Sequence, residues 1–308
     1  MLIFSVIASL GLLFVGAHFL VKGAASAAAR LGIPPLAIGL TVVAYGTSAP
    51  EMIVSLQAAL EGSSDIAVGN VVGSNSFNIG IILGVTALIC PIGVERRIVK
   101  VDAPVMLLVA LWACWLLWDG SIGRLGALAF LLACVVYTVV NLRQAGVEGS
   151  APDQESSQSK EGVIWKDVGW FLLGLAMSIA GSKLLVWGAS ELARGWGVSE
   201  AVIGLTIVSA GTSMPELVTS VSAALKREPD IAIGNIIGSN VFNILGILGV
   251  SAMVSPIEGS NIAAIDLGAM ALFSIAMLPL IWSGYKLRRW EGAFLLAGYA
   301  GYLWILWP

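Results

Sequence analysis

The sequence predicts an all-α membrane protein whose ten transmembrane helices form two inverted repeats of five helices each. Three observations predict this fold class. Of the 308 residues, 58% are hydrophobic and only 11% are charged, whereas a typical soluble domain has about 25% charged residues. Apolar runs long enough to cross a bilayer recur along the whole chain. The chain also repeats itself at a fixed shift, and the repeat begins again after five such runs.

The apolar runs define the predicted helices in chain order. The first five are residues 2–29, 34–60, 65–89, 103–118 and 123–141, and the second five are 166–194, 201–224, 231–254, 261–283 and 290–307. The polar stretch RQAGVEGSAPDQESSQSKEG between the two sets is typical of a flexible connector. We therefore expect a first five-helix repeat (1–142), a linker (143–162) and a second, inverted repeat (163–308). The first run lacks a charged leader and a cleavage site, which indicates a retained helix.

The internal repeat is the most specific feature of the chain. A shift of 165 positions places residues 38–84 on residues 203–249 without a gap, and 28 of the 47 aligned positions are identical. A weaker match extends back to Gly16 and Gly181. Because each half has an odd number of spans, the second half enters the membrane from the opposite side. The two repeats are then related by a pseudo-two-fold axis in the membrane plane.

Loop charges predict the orientation in the membrane. With the N-terminus outside, 12 of the 16 Lys and Arg residues fall in cytoplasmic loops or in the linker, while Arg124 and Arg194 fall outside. Positive charge concentrates in cytoplasmic loops. We expect a multi-pass protein of the plasma or inner membrane, with both termini outside and the linker in the cytoplasm. Lys22, Lys183 and His18 lie within spans and are expected to snorkel or to line the helices.

Composition excludes several functional classes. His18 is the only histidine, so a histidine-based metal site is excluded. The three cysteines, Cys90, Cys114 and Cys134, are widely spaced in apolar segments and are expected to be packing residues. The expected partners are the lipid bilayer and small cations, without nucleic acid, cofactor or catalytic role. The oligomeric state stays open, and a monomer is compatible with the sequence.

The motif GTSAPE (46–51) and its copy GTSMPE (211–216) place a carboxylate deep inside an apolar span. Glu51 precedes Glu61, at the predicted outer end of the second span, by ten residues. Ten helical residues rise about 15 Å, half of the roughly 30 Å hydrocarbon core, which puts Glu51 near the midplane. By the repeat, Glu216 lies there too. A carboxylate at this depth costs at least about 2.5 kcal/mol, and such residues usually serve a site or a pathway.

Pro50 and Pro215 break the helices beside these carboxylates. A proline inside a helix removes one backbone hydrogen bond and clashes with the carbonyl four residues earlier, which belongs here to Gly46 or Gly211. Carbonyl groups freed in hydrocarbon need a partner, and a bound cation would supply one. The backbone of the preceding residues, including Ala44 and Ser209, is expected to be distorted as well.

The residues around each break offer oxygen ligands, which suit hard cations. Ca²⁺ takes six to eight oxygen ligands, whereas Zn²⁺ and copper favour Cys or His. Two glutamates carry a charge of −2, which balances one Ca²⁺ or two Na⁺. The hydroxyl groups add neutral oxygens suited to Na⁺; they belong to Thr47, Ser48, Thr212 and Ser213.

A second repeated motif, GNVVGSNSFN (69–78) and GNIIGSNVFN (234–243), carries further polar groups. Its Ser and final Asn are four residues apart and share a helix face, so we expect Ser74, Asn78, Ser239 and Asn243 to line the site. Asn75 and Asn240 lie elsewhere on the helix and are expected to join helices. The glycine pairs of the motif allow close helix approach; they are Gly69, Gly73, Gly234 and Gly238.

The paired motifs GTSAPE…GSNSFN and GTSMPE…GSNVFN resemble the two α-repeats of the Na⁺/Ca²⁺ exchanger family, within the cation/Ca²⁺ exchanger superfamily. The resemblance covers nearly the whole chain. It implies ten helices in two inverted halves, with four central helices around four clustered cation sites. The long regulatory cytoplasmic insert of animal exchangers is absent, so the chain resembles the prokaryotic type.

The resemblance also implies roles for single residues. Glu51 and Glu216 would bind Ca²⁺ together with the carbonyl oxygens of Thr47 and Thr212, and Asn78 and Asn243 would flank the centre. One Na⁺ would meet Glu51, Thr212, Ser213, Ser239 and the Ser209 carbonyl. Its symmetry mate would meet Glu216, Thr47, Ser48, Ser74 and the Ala44 carbonyl. The K⁺-dependent branch has Asp at the position of Asn243, so Asn243 argues against K⁺ coupling.

Mechanism and alternatives follow from the charge of the site. Two carboxylates cannot hold Ca²⁺ and a full set of Na⁺ at once, so competition would couple the two fluxes. Alternating access would move the first and sixth helices, whose glycines at 16, 23, 181 and 188 favour sliding. A H⁺/Ca²⁺ antiporter, or one for another divalent cation, is the alternative. A passive cation channel and an intramembrane hydrolase using Ser48 or Ser213 are weaker ones.

Overall fold

The computed structural model describes residues 2–119, 121–148, 164–196, 209–257 and 263–306. Most of the predicted linker and residues 201–208, the start of the predicted seventh span, lie outside these ranges. The helices of the first half are α1 (Leu2–Leu31), α2 (Pro35–Thr47), α3 (Ala49–Leu60), α4 (Asp65–Ile89), α5 (Ile98–Leu116) and α6 (Arg124–Glu148). Those of the second half are α7 (Ile164–Gly195), α8 (Ser209–Thr212), α9 (Met214–Leu225), α10 (Pro229–Val254), α11 (Ala264–Trp282) and α12 (Arg289–Leu306).

Seven of the described helices are long and apolar enough to cross a membrane: α1, α4, α5, α6, α7, α10 and α11. The bent pair α2 and α3 forms an eighth crossing if it is counted as one span. Their apolar residues cannot all be buried in the protein, and many large ones are exposed around the bundle. The chain is therefore a mostly helical, multi-pass integral membrane protein.

Helices α4 and α10 form the centre of the bundle, and α1 and α7 form its periphery. In the apolar windows of α4 and α10, 72% and 94% of the residues are buried, against 28% and 22% in α1 and α7. The helical path widens to π-type turns in the middle of both central helices, at Asn78–Leu83 and Asn243–Leu248. Such wide turns are frequent at functional sites, and here each begins at a predicted site residue.

Helices α1 and α7 pack against each other through glycine along most of their length. A Cβ added at Gly174 would lie 2.3 Å from the Leu20 nitrogen, and one at Gly23 would lie 2.5 Å from the Phe171 nitrogen. Gly16 and Gly181 make similarly close approaches to the opposite helix. Since any side chain at these positions would collide with backbone, the two helices are held at a distance that only glycine allows.

Two short antiparallel contacts tie the halves together, and the repeat relates them to each other. Strand β1 (Ile92–Gly93) pairs with β2 (Lys286–Leu287), with Ile92 opposite Leu287. An isolated bridge joins Ile122 to Ile257. The 165-residue shift carries Ile92 onto Ile257 and Ile122 onto Leu287. The internal repeat therefore extends into pairings whose sequences are not obviously alike.

The glycines of the second motif pack differently in the two halves, which gives a stability prediction. A Cβ at Gly238 would lie 2.4 Å from the Leu40 carbonyl oxygen, whereas one at Gly73 would meet only the Ser209 hydroxyl, at 3.2 Å. We expect Gly238→Ala to destabilise the fold by about 1–3 kcal/mol, and Gly73→Ala by less than about 1 kcal/mol. Thermal unfolding in detergent would measure both variants. Equal melting temperatures would contradict this packing.

Candidate cation site

Each half contains a helix that is interrupted by one serine. Ser48 (φ −79°, ψ 9°) separates α2 from α3, and Ser213 (φ −85°, ψ 7°) separates α8 from α9. Pro50 and Pro215 lie in the first turn of the following helix, where the missing N–H would have had no helical partner. The proline therefore starts a new helix, with the serine as the point of interruption.

The interruption places Glu51 and Glu216 in the first turns of α3 and α9. The positive end of the helix dipole stabilises a carboxylate at this position. Both residues are buried, with only 1% of their surface exposed. The protein thus holds two carboxylates at helix N-termini inside a bundle that lies in the bilayer.

Hydrogen bonds connect each carboxylate to the break in the other half. Ser48 Oγ donates to Glu216 Oε1 at 2.8 Å, and Ser213 Oγ donates to Glu51 Oε1 at the same distance. The predicted residues of GTSAPE and GTSMPE are therefore brought together. Because each glutamate takes its hydroxyl partner from the other repeat, neither half forms this arrangement alone.

The serines of the central helices also reach the opposite half. Ser74 Oγ lies 3.2 Å from Ser213 Oγ, and Ser239 Oγ donates to the Ala44 carbonyl at 3.4 Å. This corrects one detail of the sequence analysis, which grouped Ser239 with Glu51 and Ser74 with Glu216. Ser74 instead contacts the break at Ser213, and Ser239 contacts the break beside Ala44. The reason is that α4 and α10 each pack against the interrupted helix of the other repeat.

The threonines of the GTS segments support the backbone at the breaks. Thr212 Oγ1 donates to the Ser209 carbonyl at 3.0 Å. Thr47 Oγ1 lies 3.3 Å from the Ala44 carbonyl and 3.0 Å from Asn235 Oδ1. Both threonines are buried. All the predicted backbone and hydroxyl positions therefore lie within or beside the two interruptions.

Four asparagines link α4 to α10 at the centre of the bundle. Asn78 Nδ2 donates to Asn240 Oδ1 at 3.3 Å, and Asn243 Nδ2 donates to Asn75 Oδ1 at 3.1 Å. Asn75 Nδ2 also donates to the Asn240 carbonyl at 3.2 Å. Asn75 and Asn240 therefore join the central helices, as the sequence predicted. They also fix the amides of Asn78 and Asn243 by taking their N–H groups.

Four buried oxygen atoms of the site accept no hydrogen bond from any described residue: Glu51 Oε2, Glu216 Oε2, Asn78 Oδ1 and Asn243 Oδ1. They form two pairs that the repeat relates. An unpaired buried polar group costs about 1–3 kcal/mol, and native proteins leave few of them. Four acceptors without donors at symmetry-related positions are the chemistry that a bound cation would satisfy.

Sequence reasoning missed two asparagines that brace the carboxylates. Asn70 Nδ2 donates to the Glu51 carbonyl at 3.2 Å and to Ser55 Oγ at 2.9 Å. Asn235 Nδ2 donates likewise to the Glu216 carbonyl at 3.4 Å and to Ser220 Oγ at 2.9 Å. The available signal was their identity in both repeats. Their partners lie on another helix, which spacing along one helix does not show.

A third missed residue, Ser182, connects the peripheral helix α7 to a break. Its hydroxyl donates to the Gly211 carbonyl at 2.7 Å. This carbonyl lies four residues before Pro215 and is the one that the sequence predicted to be free. A side chain of the protein therefore supplies a donor to a carbonyl for which the sequence predicted a cation. The equivalent position in the first repeat is Ala17.

Long apolar helices around two interrupted helices are typical of membrane transporters. A family model described as sodium/calcium exchanger protein matches residues 1–143 and 166–307. The chain belongs to the sodium/calcium exchanger family. Family and fold are those of cation/Ca²⁺ antiporters.

Relatives and solved structures match the chain over nearly its full length. The inner membrane protein YrbG of Escherichia coli (strain K12) is 38% identical over 315 residues, covering 98% of this chain and 96% of that protein. The sodium/calcium exchanger MaX1 of Methanosarcina acetivorans is 33% identical over 337 residues, covering 96% of each. A structure of the sodium–calcium exchanger NCX_Mj matches with a TM-score of 0.84 at 29% identity, covering 97% of this chain and 96% of that one.

The contacts of Asn70 and Asn235 predict different losses of stability when each asparagine is replaced. Asn235→Ala would remove contacts to the Glu216 carbonyl and to the Thr47 and Ser220 hydroxyls. Asn70→Ala would remove contacts only to the Glu51 carbonyl and Ser55. We expect Asn235→Ala to cost about 1–3 kcal/mol and to cost more than Asn70→Ala. Thermal unfolding with and without Ca²⁺ would measure both. A larger loss in Asn70→Ala would contradict the described contacts.

Proposed function

We propose that the protein exchanges Na⁺ for Ca²⁺ by alternating access, with both ions competing for one midplane site built on Glu51 and Glu216. The observation that carries this proposal is the set of four buried oxygens without a donor, two carboxylate and two amide, around the paired helix breaks. Ca²⁺ and Na⁺ are hard cations that oxygen ligands suit. The names of the relatives MaX1 and NCX_Mj as sodium/calcium exchangers support the same assignment.

Ca²⁺ would take the two carboxylates, with the carbonyl oxygens of Thr47 and Thr212 as further ligands and with Asn78 and Asn243 beside it. The two Na⁺ sites would each use one glutamate. The crossed contacts favour one set of Glu51, Thr212, Ser213, Ser74 and the Ser209 carbonyl, and another of Glu216, Thr47, Ser48, Ser239 and the Ala44 carbonyl. Asn243 in place of an acidic residue leaves two carboxylates at the site and argues against coupling to K⁺.

Competition for these ligands would couple the fluxes. Each Na⁺ set contains one of the two glutamates that Ca²⁺ needs, so a site filled with Na⁺ has no carboxylate left for Ca²⁺. The charge of −2 balances one Ca²⁺ or two Na⁺, and a stoichiometry above two Na⁺ would make exchange electrogenic. Movement of the glycine-packed pair α1 and α7 past the centre would expose the site to each side in turn.

The proposed topology has ten crossings in two inverted repeats, 1–142 and 163–308, joined by the cytoplasmic linker 143–162. Helix α12 and the interrupted span that ends in α9 would add the two crossings beyond the eight counted above. The reciprocal pairings of Ile92 with Leu287 and of Ile122 with Ile257 support a two-fold relation between the halves. The distribution of Lys and Arg supports termini outside and the linker inside.

A H⁺/Ca²⁺ antiporter is the second candidate. Its support is the depth of Glu51 and Glu216, because a carboxylate buried without a cation is readily protonated. The four hydroxyl groups of the GTS segments favour Na⁺, since a proton needs no neutral oxygen ligands. A passive channel is disfavoured by the buried site and the two-fold design.

The choice of counter-ion can be tested by flux. Vesicles containing the purified protein and loaded with Na⁺ should take up ⁴⁵Ca²⁺ when diluted into Na⁺-free medium, because outward Na⁺ flow frees the carboxylates on the other side. Vesicles with a K⁺ gradient or a pH gradient instead should take up little. Uptake driven by the pH gradient, with none driven by the Na⁺ gradient, would favour the H⁺ antiporter and reject Na⁺ coupling.

The two glutamates can be tested by neutral variants. We expect Glu51→Gln and Glu216→Gln to abolish ⁴⁵Ca²⁺ uptake, because each removes one of the two negative charges that balance Ca²⁺, while the similar shape preserves the fold. Glu191→Gln is the matched control, since Glu191 is an exposed carboxylate paired with Arg194. It should transport normally. Normal uptake by Glu51→Gln or Glu216→Gln would remove that residue from the site.

A further inference from the structure

The two ends of the bundle are closed unequally around the peripheral helices. At the end where α9 finishes, Leu20, Val21 and Ala24 of α1 pack with Ala223 and Ala224 of α9 and with Ile231 of α10 in one buried cluster. At the other end, the counterparts of Ala223 and Ala224 are also buried, but the counterpart of Ile231 is open. Ile231 is 0% exposed, whereas its counterpart Ile66 is 57% exposed.

A polar contact joins the peripheral helix α1 to the core at the closed end. Lys226, the residue that follows α9, donates from Nζ to the His18 carbonyl in α1 at 2.6 Å. The contact involves the backbone of α1 at this level, so it holds only while α1 keeps its present position along α9. Sliding of α1 by one helical turn, about 5.4 Å, would break it.

The counterparts of Lys226 and His18 in the other repeat carry charges opposite to each other. The 165-residue shift relates Lys226 to Glu61, the residue that follows α3, and relates His18 to Lys183 in α7. Both side chains are exposed. Glu61 accepts a hydrogen bond from Gln57 within its own turn, at 2.9 Å, and the two form no ion pair in the described ranges.

We propose that Glu61 and Lys183 form an ion pair that closes the external end when the site is open to the cytoplasm. In the state open to the other side, the two halves exchange conformations. Helix α7 then lies beside α3 in the way that α1 now lies beside α9. Glu61 then stands at the level of Lys183, as Lys226 now stands at the level of His18. The opposite charges attract, and the contact is made only in that state.

This proposal rests on alternating access. It gives each closed state its own latch, which is a polar contact made only in that state. The contact of Lys226 with His18 stabilises the present state, and the contact of Glu61 with Lys183 stabilises the other. An exposed ion pair shifts a two-state equilibrium by about two- to fivefold. Loss of either charge should therefore slow the exchange cycle without removing a ligand of the cation.

Charge variants test the pair. Glu61→Gln and Lys183→Gln should each lower the rate of Na⁺-driven ⁴⁵Ca²⁺ uptake by about two- to fivefold. The Ca²⁺ concentration for half-saturation of the purified protein should stay unchanged within about twofold. The double variant Glu61→Lys with Lys183→Glu should restore the parent rate, which a merely structural role would not allow. Single variants at the parent rate, or a charge swap no better than the single variants, would overturn the proposal.

Cross-linking tests the same pair without measuring transport. In the full-length chain with Cys90, Cys114 and Cys134 replaced by Ala, the pair Glu61→Cys and Lys183→Cys should react with a short, reducible bifunctional thiol reagent. The pair His18→Cys and Lys226→Cys is the control for the present state. Failure of the first pair to cross-link while the second does so would reject the latch. Absent Na⁺-driven uptake in the parent chain would instead reject the proposed function, whatever the cross-links show.

Discussion

The hydrogen bonds that cross between the repeats, from Ser48 to Glu216 and from Ser213 to Glu51, are the interaction on which the rest of the arrangement depends. A carboxylate in the middle of a bilayer protein is stable only if something supplies positive charge or donors. Each helix N-terminus supplies part of this, and the serine of the opposite half supplies one donor. Because both serines lie at helix interruptions, these hydrogen bonds fix how the two halves meet.

Much of the fold and most of the candidate residues could be predicted because the same motifs occur in both repeats. The periodic apolar runs gave the order of the helices, and the repeat identified the residues at both breaks. Two features needed three-dimensional information. Asn70 and Asn235 brace the backbone of Glu51 and Glu216 from another helix, and no spacing within one helix indicates such a contact. Ser182 satisfies the Gly211 carbonyl, and its counterpart Ala17 shows that the halves differ there.

The difference between the predicted and the observed partners of Ser74 and Ser239 has a similar cause. The sequence shows that each serine shares a helix face with an asparagine, but the face of the other half that it meets depends on how α4 and α10 cross. Gly234 and Gly238 set that crossing by allowing Leu40 and its neighbours to approach the backbone of α10. Close packing of small residues thus decides which hydroxyl reaches which carboxylate.

The dependence of each carboxylate on the opposite half also constrains how the protein is made. Glu51 is synthesised more than 160 residues before Ser213. The helices of the first half therefore enter the bilayer while their buried carboxylate still lacks its hydroxyl partner. During that interval, the N-terminus of α3 and the Asn70 contact are the local stabilisers of this segment. The order of synthesis therefore gives the first half a vulnerable period that the second half, which emerges beside a finished Ser48, does not experience.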